Sequence, residues 1–358
     1  MKIIHCADIH LDSPLKRLST TEKKKERRAE LIKAFHNMVD FGAANGVRAI
    51  LIAGDLFDQS KVSATASSAV LDAIKRNPGI DFYYIKGNHD KNDFLADPSD
   101  SPSNLHLFTD RWTRYALGEN IVLCGAELTK DNARTIGSAL VLDNSNFNIV
   151  SLHGQEAESA AKDNAQTIVL KDLRSKGIDY LALGHVHAYK KEELDGRGTY
   201  CYPGCLESRG FDETDDHGFM LLDIEGQART FHATRICMPI RTAHVVKVDI
   251  SDCMTSGEIR AKVEEKLNAE NYPSKDMVKV ELIGYVDFAC EKDGSVVAKM
   301  FEDRYFDFKL KDCSEMKVDY ESFKLDESLK GEFVRMVEAA DDLDPEEKAE
   351  VIRIGIQA

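Results

Sequence analysis

The sequence predicts an α/β protein built as a layered sandwich, and three patterns support that expectation. Short apolar runs alternate with helical periodicity through the first half of the chain. The clearest run, VRAILIAG (47–54), is almost continuously apolar, as strands covered on both faces are. After about residue 188 the alternation gives way to paired strands around tight turns, which can complete a second sheet.

The elements follow in order. IIHC (3–6) is the first strand. Ser19 with Glu22 reads as a capping box for the next helix. Leu31, Ile32, Phe35, Met38 and Val39 share one face of that helix, and Asn45-Gly46 stops it. The strand at 47–54 precedes a helix at about 63–76 that ends near Pro78-Gly79, and DFYYIKG (81–87) is the next strand. NIVLCG (120–125), NIVSLHG (148–154) and DYLALGH (179–185) are further buried strands, with a helix at about 166–176 before the last. YKKEEL and TYCYPG flank the turn Asp195-Gly196-Arg197-Gly198, and HGFMLLDI and QARTFHATRI flank Glu225-Gly226; both read as hairpins. Pro239 marks the boundary of a first domain, 1–238. A small β-α-β unit over 239–300 comprises strands 243–250 and 277–286 and a helix at about 256–270. The tail, 301–358, ends in two expected helices, 326–340 and 345–356, the second opened by Asp344-Pro345-Glu346-Glu347.

Composition narrows the class. The 358 residues are 43% hydrophobic and 30% charged, and no apolar run approaches the roughly 20 residues needed to span a bilayer. The opening MKIIHCADIH lacks the apolar stretch of a signal peptide, so a cytoplasmic protein is expected. Eight cysteines lie scattered without metal-ligand spacing and read as reduced thiols. A net charge of -15 argues against a protein that coats nucleic acid by charge alone. That charge is uneven: residues 16–28 hold seven basic side chains against two acidic, and 319–350 hold twelve acidic against four basic. The basic run is either a solvated helix face or a local patch for a polyanion.

Chemistry gathers where the strands end. Asp8-Ile9-His10, Gly54-Asp55-Leu56-Phe57-Asp58, Gly87-Asn88-His89-Asp90, His153-Gly154 and Gly184-His185-Val186-His187 each follow an apolar strand. Strand carboxyl ends are where α/β sheets gather ligands, so widely spaced motifs converge on one rim. Carboxylate and amide oxygens with imidazole nitrogens, and no thiolate, suit a pair of divalent cations such as Mn²⁺, Fe²⁺ or Zn²⁺. A carboxylate such as Asp55 can bridge them. Two such ions about 3.5–4 Å apart clamp a phosphoryl group and activate a bridging water as the nucleophile. The glycines before Asp55, Asn88 and His185 are expected to allow sharp turns and close approach. His5, His36, His106, His217, His232 and His244 lack such a context and read as structural.

The ordered motifs resemble the calcineurin-like metallophosphoesterase superfamily. Within it they are most similar to the SbcD-type DNA repair nucleases, in a bacterial YhaO-like branch. The matching words are CADIHLDSPL (6–15), AGDLFD (53–58), IKGNHD (85–90), LHG (152–154), LGHVH (183–187) and YPGCLESRGFDE (202–213). The resemblance covers about the first 240 residues and implies a four-layer αββα sandwich with a small α+β capping domain. It also implies that Asp8, His10 and His187 bind one metal, that Asn88, His153 and His185 bind the other, and that Asp55 bridges. His89 would contact the phosphate and protonate the leaving oxygen, with Asp58 orienting it. Arg209 and Phe211 would lie in the segment closing the site, either in substrate contact or as loop packing. Two departures stand out: Asp58 replaces a His usual in archaeal and eukaryotic relatives, and Cys205 stands where Ser is common. The implied metals are two divalent ions, Mn²⁺ before Fe²⁺, Mg²⁺ or Zn²⁺. The implied partners are DNA, an SbcC-like SMC-related ATPase docked by the tail helices, and a second copy of the chain, with no membrane. The alternatives are a small-molecule or protein phosphatase on the same site, and a non-catalytic scaffold.

Overall fold

In the computed structural model, the described residues are 1–58, 62–90, 101–158, 166–214, 216–287, 290–317, 326–340, 343–344, 347–348, 351–352 and 354–355. They form two compact units: Met1–His244 with Lys275–Met277, and Val245–Ser274 with Val278–Ala358.

The first unit opens with β1 (Lys2–Cys6), α1 (Thr21–Ala44), β2 (Val47–Ala53), α2 (Ala64–Arg76), β3 (Asp81–Ile85) and β4 (Leu105–Leu107). It continues through β5 (Thr113–Gly118), β6 (Ile121–Gly125), α3 (Ile136–Ala139), β7 (Phe147–His153), β8 (Gln155–Ala157), β9 (Thr167–Val169), α4 (Leu170–Leu173) and β10 (Tyr180–Gly184). Two hairpins end it: β11 (Lys190–Glu193) with β12 (Thr199–Tyr202), and β13 (Gly218–Glu225) with β14 (Thr230–Cys237). Two six-stranded sheets result, ordered β14-β13-β1-β2-β3-β4 and β11-β12-β10-β7-β6-β5. The hairpins therefore do not share a sheet; each widens a different one.

Side-chain alternation shows why the strands read as continuous apolar runs. In β1 and β2, Ile4, Ile50 and Ile52 pack with Leu31, Phe35, Met38, Val70 and Ile74 of α1 and α2. Their neighbours Ile3, Ala49 and Leu51 pack instead with Phe147, Ile149, Tyr180 and Ala182 of the second sheet. On that sheet's other face, Val150, Leu152, Leu181 and Leu183 meet Ile136, Leu170 and Leu173 of the short helices. The central strands β1, β2, β7 and β10 are covered on both faces, and the layers run helix, sheet, sheet, helix. His5 lies between the sheets, bonded to the Tyr180 hydroxyl at 2.9 Å, and burial pushes its pKa down to about 3.

Some local expectations change. The N-cap of α1 is Thr20, whose hydroxyl accepts the Lys23 N–H. With that start the third helical residue is Lys23, so Ser19 and Glu22 do not close a capping box. The helix expected at 166–176 is a three-residue strand followed by one short helical turn. Arg27, inside the basic run, is fully buried and pairs with Glu207.

The second unit is a small α+β assembly. Strands β15 (Ala243–Asp249), β16 (Met277–Ile283) and β18 (Asp307–Asp312) form its sheet, and β17 (Tyr285–Val286) pairs with β19 (Glu315–Met316). Helix α5 (Ser256–Glu270) buries Ile259, Val263 and Leu267 against Val278, Val280 and Leu282. It begins at a Thr255–Glu258 capping box and is followed by α6 (Gly294–Lys299). Because β18 comes from beyond residue 300, this small core draws on part of the segment read as tail. The last described helix is α7 (Leu329–Glu338). Of the helix expected at 345–356, residues 347–348, 351–352 and 354–355 are helical, and the others lie outside the described residues. No described helix is long and apolar enough to cross a membrane, and all eight cysteines are free thiols.

Candidate metal centre

Five strand ends from both sheets meet at one rim of the first unit. The loops after β1 and β2 run side by side: Asp8 N–H donates to the Gly54 carbonyl, His10 N–H to Asp55, Leu11 N–H to Leu56 and Asp58 N–H to Leu11, all at 2.9–3.1 Å. The loop after β3 is tied to them by Asp90. That buried carboxylate accepts N–H groups from Phe57 (2.8 Å), Gly87 (3.0 Å) and Leu56 (3.2 Å).

This bracing holds an unusual backbone. Asp8, His10, Asp55 and His185 all have positive φ, at 52°, 50°, 51° and 106°. Such conformations cost non-glycine residues roughly 1–3 kcal/mol each and persist only where the surroundings over-determine them. The preceding glycines divide their tasks. Gly54, at φ +93°, does make the turn expected of it, whereas Gly87 serves close approach, since a Cβ there would lie 2.1 Å from Asp55 Oδ1.

Four clusters of metal-capable groups lie among the described residues: Asp8, His10 and His187; Asp55, His153 and His185; His10, Asp58 and His89; and His187, Cys205 and Glu213. The first two form the candidate donor sets, and the other two extend outward from them. His10 Nε2 faces His187 Nε2 at 3.2 Å. Asn88 Oδ1 lies 3.1 Å from His153 Nε2 and 3.0 Å from His185 Nδ1, which adds it to the second set. Asp55 Oδ2 sits between the sets, 3.4 Å from His153 Nε2 and 3.8 Å from His10 Nε2. Both Asp8 carboxylate oxygens accept the His185 N–H at 3.0 Å, which links one set to the other.

The residues fit cations on their own chemistry. His153 Nδ1 is 2.9 Å from the Ala53 carbonyl, which can only accept, so Nδ1 carries the proton. In a neutral ring, Nε2 is then a lone pair facing the oxygens of Asn88 and Asp55. Lone pairs at such distances repel unless a positive charge lies among them. Burial disfavours charge on His153, yet the hydrogen bond and field of Asp55 prevail and push its pKa up to about 9. The field that favours a proton there favours a divalent cation too. Metal–donor distances of about 2.0–2.2 Å place neighbouring donors about 3–3.5 Å apart, near the separations seen. Burial pushes Asp8 up to about 6, the behaviour of a carboxylate poised to neutralise a cation.

A second layer stands behind the donors. His89 Nδ1 bonds Asp58 Oδ1 at 2.8 Å, and the ring is 44% exposed, so Nε2 is the nitrogen it offers outward. The Asp58 hydrogen bond, opposed by partial burial, raises the His89 pKa. Partial burial would raise Asp58 itself, but the nearby His10 ring at 3.6 Å, the His89 bond and Ser13 hold it well below the usual carboxylate range. The His89 N–H also donates to Asp55 Oδ1 at 2.9 Å, setting the pair directly beside the shared carboxylate. Arg209 is drawn in rather than left at the surface: Nη1 lies 3.4 Å from Asp58 Oδ2, and Nη2 lies 2.7 Å from Glu213 Oε1. Glu213 also meets His187 Nδ1 at 2.8 Å. Glu213 and Asp90 carry no role that their local sequence announces, although each closes one of the motif words, YPGCLESRGFDE and IKGNHD. The signal was their place in those words; their partners lie in distant segments.

Fold and donor sets together define a metal-dependent hydrolase of the dimetal phosphoesterase class. Residues 1–189 match the family described as calcineurin-like phosphoesterase, and the chain belongs to it. The chain is similar to the uncharacterized metallophosphoesterase YhaO of Bacillus subtilis, 30% identical over 63% of this chain and 57% of that protein. It thus matches little more than half the length of that relative. It is also similar to the DNA double-strand break repair protein Mre11 of Sulfolobus acidocaldarius, at 24% identity over 80% of this chain and 76% of that one. The Sulfurisphaera tokodaii protein of the same description is 27% identical, over 75% and 70%.

Proposed function

We propose that this protein is a two-metal phosphodiesterase that cleaves DNA, with Mn²⁺ as its working ion. Asp8, His10 and His187 would hold one cation, and Asn88, His153 and His185 the other, with Asp55 between them. When bound, such a pair supplies charge neutralisation and an activated water for in-line displacement at phosphorus. The protein's own groups do the rest. The Asp55 carboxylate is aimed by the His89 backbone N–H at 2.9 Å. Asp58 fixes His89 with Nδ1 toward itself and Nε2 outward, where the ring can give a proton to the departing oxygen. The Arg209 guanidinium stands beside that pair, 3.4 Å from Asp58, and braces it.

The DNA substrate rests on one observation: similarity to an Mre11 protein extends over 80% of the chain, well beyond the matched phosphoesterase region. A net charge of -15 must be offset where DNA binds, by the cations and by local basic residues such as those of 16–28. We further propose an SMC-related ATPase partner, with α7 as the docking element. That helix exposes Leu329 at 88% and Met336 at 67%, the apolar side chains a partner groove takes. A second copy of the chain and a cytoplasmic setting complete the reading.

The deciding test offers Mn²⁺-loaded protein linear duplex DNA, single strands, nucleoside monophosphates and a phosphopeptide, each with and without chelator. Chelator-sensitive release of nucleotides from DNA is expected. Hydrolysis of monophosphates or phosphopeptide with none of DNA assigns the site to a phosphatase, and no hydrolysis at all leaves a scaffold.

A further inference from the structure

We propose that Glu213 is a positioning residue that makes His187 a metal donor by deciding which ring nitrogen carries the proton. The inference rests on the two-cation reading of the site but not on the DNA substrate. His187 Nδ1 has two polar neighbours of opposite kind, Glu213 Oε1 at 2.8 Å and Arg209 Nη2 at 2.9 Å. On the other side of the ring, Nε2 faces His10 Nε2 at 3.2 Å. A neutral imidazole has one N–H, so two arrangements compete. If the carboxylate accepts from Nδ1–H, then Nε2 is a bare lone pair directed at the donor set it shares with Asp8 and His10. If the guanidinium donates to Nδ1, the proton sits on Nε2 and fills the place a cation needs.

The surroundings of Glu213 favour the first arrangement. Its Oε1 also accepts Arg209 Nη2 (2.7 Å) and Nε (3.2 Å), so the guanidinium has a charged acceptor that competes with the His187 ring for its hydrogens. Its Oε2 accepts the Arg209 backbone N–H at 2.7 Å, so the carboxylate is gripped from both ends and does not rotate. His217 Nε2 lies 3.1 Å from the Glu213 carbonyl and holds the backbone as well. Upstream, buried Arg27 donates to the Ser208 carbonyl at 2.7 Å, which fixes the segment leading in. Glu213 is 7% exposed, so water does not compete for its oxygens. A carboxylate is required here and an amide is not equivalent. The NH₂ of a glutamine can turn to Nδ1 and join Arg209 in stabilising the blocked tautomer.

The test uses the full chain freed of metal and titrated calorimetrically with MnCl₂, wild type against Glu213→Gln. Wild type should show two binding events. In the variant one should weaken by about 10- to 100-fold, the usual effect of removing the partner of a metal-bound imidazole, and the other should be unchanged. Nitrogen-15 spectra of the metal-free histidines, with His187 assigned from its loss in His187→Gln, should show Nδ1–H in wild type and Nε2–H in Glu213→Gln. Equal Mn²⁺ affinities in the two proteins, or Nε2–H in wild type, would overturn the proposal. Should Glu213→Gln fail to fold by circular dichroism, the wild-type spectrum alone decides. No substrate enters either measurement, so failure of DNA cleavage and failure of this inference are separable.

Discussion

Replacing His89 with alanine isolates the proposed proton donor from the rest of the centre. The side chain is 44% exposed, so truncation leaves little cavity, and loss of the bond to Asp58 should cost about 1 kcal/mol of stability. Its bond to Asp55 comes from the main chain and survives. Asp58 keeps Arg209 at 3.4 Å, and neither donor set loses an atom. What disappears is a general acid, worth about 10²- to 10⁴-fold in rate, or about 3–5 kcal/mol of barrier. That loss must depend on the leaving oxygen. A deoxyribose alkoxide needs the proton, whereas p-nitrophenolate departs without it. The assay compares kcat/KM of wild type and His89→Ala on an oligonucleotide and on bis(p-nitrophenyl) phosphate, with bound Mn²⁺ measured in both proteins. We expect a loss of about 10³-fold on DNA and under about tenfold on the aryl ester, at unchanged metal content. Equal losses on the two substrates would refute the proton-donor role, and loss of metal along with activity would make His89 a ligand.

Other perturbations probe the supporting layer. Arg209→Met should lower kcat by about tenfold with KM nearly constant, because the guanidinium braces Asp58 and Glu213; a raised KM at constant kcat would instead make Arg209 a substrate contact. Asp90→Ala strips three backbone N–H groups of their acceptor. That should cost roughly 3 kcal/mol and lower Tm by several degrees, so an unchanged melting curve would contradict its bracing role. Asp8 gives a pH signature in the metal-free protein and in cation binding. Burial raises its folded-state pKa from 3.8 to about 6, so the unfolded chain gives up this proton first. The metal-free fold therefore loses stability from this group as pH rises from 3.8 to about 6, whereas cation affinity, which needs the ionised carboxylate, increases over the same window. Calorimetry at pH 5 and pH 7 should show weaker Mn²⁺ binding at pH 5, with proton release.

Much of this molecule was legible before its structure. The strands at 47–53, 147–153 and 180–184 announce themselves because they are buried on both faces and are mostly apolar. Helix 256–270 was readable because its start and end carry local chemistry. The short strand and turn at 167–173 were not, since their conformation follows from packing on β7 and β10 and not from local propensity. Positive φ at Asp8, His10, Asp55 and His185 was likewise not read, because Asp and His enter that region more readily than most residues but still only in a minority of cases, and nothing local marks these four. It persists through bonds to loops from other strands.

The sequence by itself determined the donor types and the rim at which they would meet. Strand carboxyl ends converge in any such sheet, so motifs that follow apolar strands converge wherever they lie along the chain. Only the tertiary structure decided how the candidate donors divide, which hairpin widens which sheet, and that Glu213 and Asp90 stand behind the rim residues. Those outcomes depend on contacts between residues far apart in the chain, such as His10 with His187 and Lys2 with Asp223. Such distances are set by strand order and loop conformation together, and no local stretch of sequence contains both.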